Sequence, residues 1–210
     1  MNPFSCSAPK GRPREFCVDA ALAAALRVLW TKGYEGASLS DLTEAMGINK
    51  PSLYAAFGNK EALFRKALDL YELEKLAFMH EALNAPTARG VAEQLLRGAL
   101  ALQSSGSGPK GCMGVIHTVA CGTEAESIRA EVIARGDKVH RALVERLERA
   151  KADGDLPPHI EPTGLAAYLK ALLQGLSLQA SAGATPAQLD LLVQTSLAFW
   201  PSREAVPQLS

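Results

Sequence analysis

Several things are scarce in this sequence, and each shortage narrows what the chain can be. It has no charge excess: twenty-two Lys and Arg balance twenty-two Asp and Glu over 210 residues. No global field therefore draws it to nucleic acid or to an anionic membrane. No run approaches the ~20 consecutive apolar residues of a membrane span. Residues 1–14 are rich in Pro, Ser and Gly and carry no apolar stretch of the kind that precedes a signal cleavage site. The four cysteines, Cys6, Cys17, Cys112 and Cys121, show no Cys-x-x-Cys spacing and no secretory context, so reduced thiols in the cytoplasm are expected. Alternating strand patterns are missing too. Nothing calls for a cofactor.

What remains is helical periodicity in an ordinary globular composition, 48% hydrophobic and 21% charged. Val18, Leu22, Leu26, Leu29 and Trp30 repeat at helical spacing up to Gly33. Ser38 and Asp41 form a capping-box pattern that opens a short helix ending at Gly47. Asn49 caps a second helix of about two turns to Phe57. Asn59 opens a longer one, read through to Leu83 and carrying Leu63, Phe64, Ala67, Leu68 and Tyr71. Further helices are read over 91–102, 111–120, from a Thr123–Glu126 capping box to Gly154, over 165–178, and from Thr185 to Trp200. The fold class is all-α with about nine helices, divided into a flexible basic arm (1–14), a three-helix unit (15–60), a larger helical domain (61–202) and a tail (203–210).

Charge is uneven locally. Residues 1–60 hold seven Lys/Arg against five Asp/Glu, and the remaining 150 hold fifteen against seventeen. Two short capped helices around a tight Gly turn, behind a longer amphipathic helix, make a helix-turn-helix. Leu39, Leu42, Ala45 and Met46 supply its inner face, with Ile48 and Leu53 plugging the gap. That leaves Lys50, Pro51, Ser52, Tyr54 and Ala55 outward on the second helix, whose N-terminal end would enter a major groove. Lys50 suits a guanine or a phosphate, and Tyr54 and Lys60 suit the backbone.

The segments Gly33-Tyr34-Glu35-Gly36-Ala37-Ser38, Asp41-Leu42-Thr43-Glu44-Ala45-Met46-Gly47-Ile48, Lys50-Pro51-Ser52-Leu53-Tyr54-Ala55-Ala56-Phe57 and Asn59-Lys60-Glu61-Ala62-Leu63-Phe64 resemble the DNA-binding domain of the TetR family of repressors. The resemblance implies an N-terminal three-helix DNA-binding domain, a fourth helix leading to a C-terminal ligand-binding and dimerisation domain, and a homodimer on a palindromic operator, released by a small-molecule effector. It also implies DNA contacts at Ser38, Thr43, Lys50, Pro51, Ser52, Tyr54 and Lys60, with Arg12 and Arg14 reaching a minor groove. Asn49 stands where many relatives have Ser; both cap helices well.

In the C-terminal domain, Leu165, Leu169, Leu172, Leu173 and Leu176 share one helix face and Leu189, Leu192, Val193, Leu197 and Trp200 another. Two such helices and their two-fold mates would form a four-helix dimer interface; the alternative is that they complete the monomer core. The stretch from Pro109 to His117, with Cys121 to Glu124, resembles one in TetR relatives that respond to small electrophiles or acids such as acrylate. For Cys112, His117 and Cys121, three roles stand side by side: packing, a thiol or hydrogen-bonding role in a pocket, and metal ligation. Helical spacing turns His117 by about 140° from Cys112, which disfavours a metal. Candidate pocket residues are Leu95, Cys112, Met113, His117, Cys121, Tyr168, Leu172 and Gln174, with 104–109 as a portal. An enzyme with Cys112 as nucleophile and His117 as base would need an orienting third group and an oxyanion site, and neither is recognisable. A helical adaptor without an operator is the other alternative.

Overall fold

The computed structural model describes residues 16–105, 108–115 and 125–201. Arg12, Arg14, His117 and Cys121 lie outside them, as do both termini. Nine helices can be followed from end to end among the described residues. They are α1 (Val18–Gly36), α2 (Leu39–Met46), α3 (Lys50–Phe57), α4 (Lys60–Lys75), α5 (Ala77–Ala82), α6 (Ala88–Ser104), α7 (Glu126–Ala152), α8 (Pro162–Ser181) and α9 (Pro186–Ala198). No described residue is in a strand, and no described helix is long and apolar enough to cross a membrane.

Local chemistry sets most of the starts. Ser38, Asn49, Asn59, Thr87 and Thr185 each accept a first-turn N–H through a side-chain oxygen. Each such cap is worth about 1 kcal/mol. Pro51, Pro162 and Pro186 occupy first-turn positions, where a missing N–H costs nothing.

Two helices extend a few residues past their expected ends, Ala88–Ser104 against 91–102 and Pro162–Ser181 against 165–178, and three further boundaries differ from expectation. Gly33, at φ +74°, kinks α1 but a last turn continues to Gly36. The helix read from Asn59 to Leu83 breaks at Leu76 (φ −111°, ψ 7°) into α4 and α5. The break has a packing cause: α4 follows α1, whereas α5 turns onto α6. There the Phe78 ring lies against Gly98 so closely that a Cβ at Gly98 would fall 2.2 Å from it. Arg146 of α7 fixes the exit from α5 by donating to the Leu83 and Ala85 carbonyls at 3.1 and 2.7 Å. The third difference is the start of α7, which follows Ala125 without a side-chain cap; Thr123 lies outside the described residues.

Two cores organise the molecule. The first joins Leu29, Trp30, Leu42, Leu53, Phe57, Phe64 and Tyr71 of α1–α4 with Met113, Ile128 and Val132 from the C-terminal half. The second joins Leu95 and Leu96 of α6, Leu143 and Leu147 of α7, and the inner faces of α8 and α9. Helix α4 is thus built into the N-terminal head as far as Tyr71, and among the described helices α7 alone contributes buried residues to both cores.

The apolar faces expected to meet a partner protomer are a correction. Leu165, Leu169, Leu176, Leu189, Val193, Leu197 and Trp200 are buried in the second core of the same chain. The large apolar residues left exposed on these two helices and at the end of α9 are Tyr168, Leu178, Leu191 and Phe199. Period alone could not separate the two faces, because both helices carry apolar residues on more than one side.

Candidate nucleic-acid interface

The helix-turn-helix is assembled from α2, α3 and the turn between them. At the start of α2, the Asp41 N–H donates to Ser38 Oγ at 3.0 Å, while the Ser38 N–H and hydroxyl donate to Asp41 Oδ2 at 2.9 and 2.8 Å. Lys32 of α1 closes on Asp41 Oδ1 at 2.6 Å. Hydrogen bonds from Lys32 and Ser38 hold the Asp41 carboxyl down to about 2. Helix α2 ends at Gly47, whose φ of +65° is the left-handed conformation that glycine adopts without a Cβ clash. The Ile48 N–H returns to the Thr43 carbonyl at 3.1 Å, and Asn49 Oδ1 accepts the Ser52 N–H at 2.8 Å.

Helix α3 buries Leu53 and Phe57 and turns its other side to solvent. Lys50, Pro51 and Ala55 are exposed, and Tyr54 is 47% exposed despite its size. Large aromatics at the surface are usually half covered. A half-exposed Tyr one turn from an exposed Lys, on the first turns of an eight-residue helix, is a contact surface shaped for a groove.

The remaining sequence-derived contacts are placed as follows. Ser38 is exposed and serves as the α2 cap. Thr43 is half-buried, its hydroxyl donating to the Leu39 carbonyl at 2.9 Å. Ser52 is half-buried at the first turn of α3. Lys60 holds its ammonium 4.6 Å from the centre of the Tyr34 ring, and burial lowers its pKa. Ser38, Lys50, Pro51 and Tyr54 therefore present themselves outward most directly.

Six of the eight pocket candidates lie among the described residues, and these six are spread over both cores and the surface. Leu95 lies in the body core and Met113 in the head core. Leu172 is half-buried against the body core, whereas Tyr168 and Gln174 face outward. A helix face inferred without knowing which side meets its neighbours is free to turn this way. Cys112 is half-buried and not in a disulfide, and its thiol lies beside the buried Tyr71 hydroxyl. Cys17 is disulfide-bonded, contrary to the expected reduced thiol, and its partner is outside the described residues. Spacing along the chain carries no information about which distant segments meet. No described group of His, Cys, Asp and Glu side chains is arranged to hold a metal.

Sequence reading missed a line of hydrogen bonds and ion pairs between α4 and α7. Glu61, Arg65 and Asp69 on one helix meet Ser127, Glu131 and Arg135 on the other. Its trace is visible in retrospect as polar and charged residues recurring every fourth position on both helices.

The three-helix head, the outward α3 and the separate helical body define a helix-turn-helix DNA-binding regulator. Residues 21–67 match the family model described as bacterial regulatory proteins, tetR family, and residues 92–196 match the tetracyclin repressor-like C-terminal domain. The chain belongs to the TetR family of transcriptional regulators. It is 36% identical over 195 residues to the HTH-type transcriptional repressor ComR of Escherichia coli K12, covering 91% of this chain and 92% of ComR. Among solved structures it is similar to a cysteine-substituted variant of the TetR-family regulator CifR in complex with a 26-bp operator duplex. That similarity is 41% identity at a TM-score of 0.86, covering 91% of this chain and all of that one. A TetR-family regulator from Rhodococcus sp. RHA1 is 37% identical at a TM-score of 0.61, covering 87% of this chain and 98% of the other.

Proposed function

We propose that the protein is a cytoplasmic, ligand-responsive transcriptional repressor that binds a palindromic operator as a homodimer and is released by a small-molecule effector. The observation that carries this reading is the outward first half of α3, with Lys50 and Pro51 exposed and Tyr54 half exposed on a helix whose inner side is locked by Leu53 and Phe57. ComR's designation as a repressor and the CifR operator complex support it. Two-fold pairing brings two such helices to successive major grooves, ~34–36 Å apart. The exposed Leu178, Leu191 and Phe199, with half-exposed Tyr168, offer the apolar surface for that pairing.

An effector shifts the balance between two head arrangements only by its differential affinity for them, typically ~1–3 kcal/mol. Of the pocket candidates, Cys112 and Met113 stand where such an occupant would act on the head directly. Met113 is part of the head core although it belongs to the C-terminal half. Arg12 and Arg14 on the N-terminal arm add minor-groove contacts.

Selection of duplexes from a random pool by the purified protein tests the reading. The expected product is an inverted repeat retained by two chains per duplex. Enrichment of no sequence above the starting pool, at low salt, contradicts it.

A further inference from the structure

Helices α4 and α7 run side by side in the same direction and meet through their side chains in a constant register. Glu61 pairs with Ser127, Arg65 with Glu131 and Asp69 with Arg135, each separated by 66 residues. The steps are four residues on both helices, so each rung stands one turn above the last. The rungs are also joined to one another. Arg65 donates to Glu61 and to Glu131 Oε2, both at 2.5 Å. Arg135 donates to Glu131 Oε1 at 2.7 Å, to Asp69 at 2.6 Å and to Glu72 at 3.0 Å. The Glu131 carboxylate thus takes one guanidinium on each oxygen and is the common anion of the series.

An isolated surface ion pair contributes little, but this one is a network with its central carboxylate three-quarters covered. Its position gives it a consequence that a surface pair lacks. Beneath it, Ile128 and Val132 enter the head core, while further along the same helix Leu143 and Leu147 enter the body core. Between these anchorages stands Gly136, where a Cβ would meet nothing within 4 Å. A mid-helix glycine with no packing reason weakens the helix there. It directly follows the last ladder cation.

We propose that this ion-pair ladder, centred on Glu131 and backed by a compliant point of α7 at Gly136, is the device that sets the angle of the DNA-binding head against the C-terminal body. Closed, the ladder fixes α4, and with it α1–α3, to the first half of α7. Opened, it leaves the head joined to α7 by apolar contacts and to the segment before it by the buried Trp30–Gly111 hydrogen bond, and free to shift against the first half of α7. The consequence for operator release rests on the repressor reading above; the latch itself does not.

The test reads the head-to-body distance within one chain. A donor and an acceptor are placed by non-cysteine chemistry at exposed Ala20 on α1 and exposed Ala187 on α9, and the labelled chain is diluted into unlabelled protein. Time-resolved energy transfer then gives the distance distribution without DNA and whether or not the protein dimerises. Raising NaCl from 0.1 to 1 M shortens the screening length from ~10 to ~3 Å. The wild-type distribution is expected to broaden at least twofold. Glu131→Gln is expected to be broader than wild type at 0.1 M and to respond less to salt, because only the Arg135 pairs with Asp69 and Glu72 still join the two helices, and Gly136→Ala to be narrower than wild type. A merely structural ladder would change the melting temperature of Glu131→Gln but not its salt response. A wild-type distribution insensitive to salt overturns the proposal, and so does a Glu131→Gln distribution that matches wild type at both concentrations. The wild-type series decides the matter even if Glu131→Gln does not fold.

Discussion

Trp30 on α1 donates its indole N–H to the carbonyl of Gly111 across 3.1 Å, joining residues 81 positions apart. The same glycine donates its own N–H to Gln103 Oε1 at 2.7 Å, and both bonds are buried. The head is therefore tied to the segment carrying Cys112 and Met113 by a polar bond as well as by apolar packing. Trp30→Phe keeps most of the apolar contact but strands the Gly111 carbonyl. The expected loss is about 1–3 kcal/mol in denaturant unfolding, with faster amide exchange at Cys112 and Met113 than at α9.

Gly98 makes room for Phe78, so Gly98→Ala forces the ring or the helix aside. Overpacking of this kind costs about 1–3 kcal/mol. Pairing it with Phe78→Ala removes the clash. The double variant is expected to be less destabilised than the two single changes added together, as read by chemical denaturation.

At α2, the Asp41 carboxyl is expected to titrate at about 2 by carboxyl-detected NMR. Its folded value lies below its unfolded one, so its contribution is present above about pH 3.9 and disappears as pH falls toward 2. Ser38→Ala removes one hydrogen bond from that carboxylate and one from the α2 N-terminus. The backbone bond can persist while the hydroxyl bonds are lost. Stability should fall by about 1 kcal/mol, and the Asp41 midpoint should move up.

Much of this was legible in the sequence, and the reasons are local. Ser38, Asn49 and Asn59 announce helix starts through side-chain chemistry spanning three residues, and all three accept the expected first-turn N–H. Gly47 marks the reversal because only glycine takes that conformation cheaply. What was not legible depends on which distant surface each helix meets. Nothing near Leu76 in sequence announces the break between α4 and α5; its cause is Gly98, on another helix. The leucines of α8 and α9 read equally well as core or as dimer face, and they proved to be core. Nothing in either segment by itself says that Glu61 meets Ser127 or that Glu131 meets Arg65, because the partners come from a helix 66 residues away.

Acid should open the ladder. Burial would raise the Glu131 carboxyl, but hydrogen bonds from Arg135 and Arg65 outweigh it and hold the group below its ordinary value. A depressed carboxyl stabilises the fold above its unfolded pKa of about 4.3, and that contribution is lost as pH falls through the folded value. Between about pH 5 and pH 3 wild type should lose stability more steeply than Glu131→Gln, measured by urea midpoints at a series of pH values.

The central claim is that the first half of α3 faces the duplex. Its most direct test is fluorescence anisotropy on the selected operator duplex, comparing wild type with Lys50→Ala/Tyr54→Ala and checking each dimer by sedimentation. Both substitutions lie on exposed positions, so folding and pairing should survive. The account predicts an affinity loss of about a hundredfold or more, or about 3 kcal/mol, with a shallower salt dependence in the Lys50→Ala single variant. A double variant that binds the operator as tightly as wild type, from an intact dimer, contradicts it.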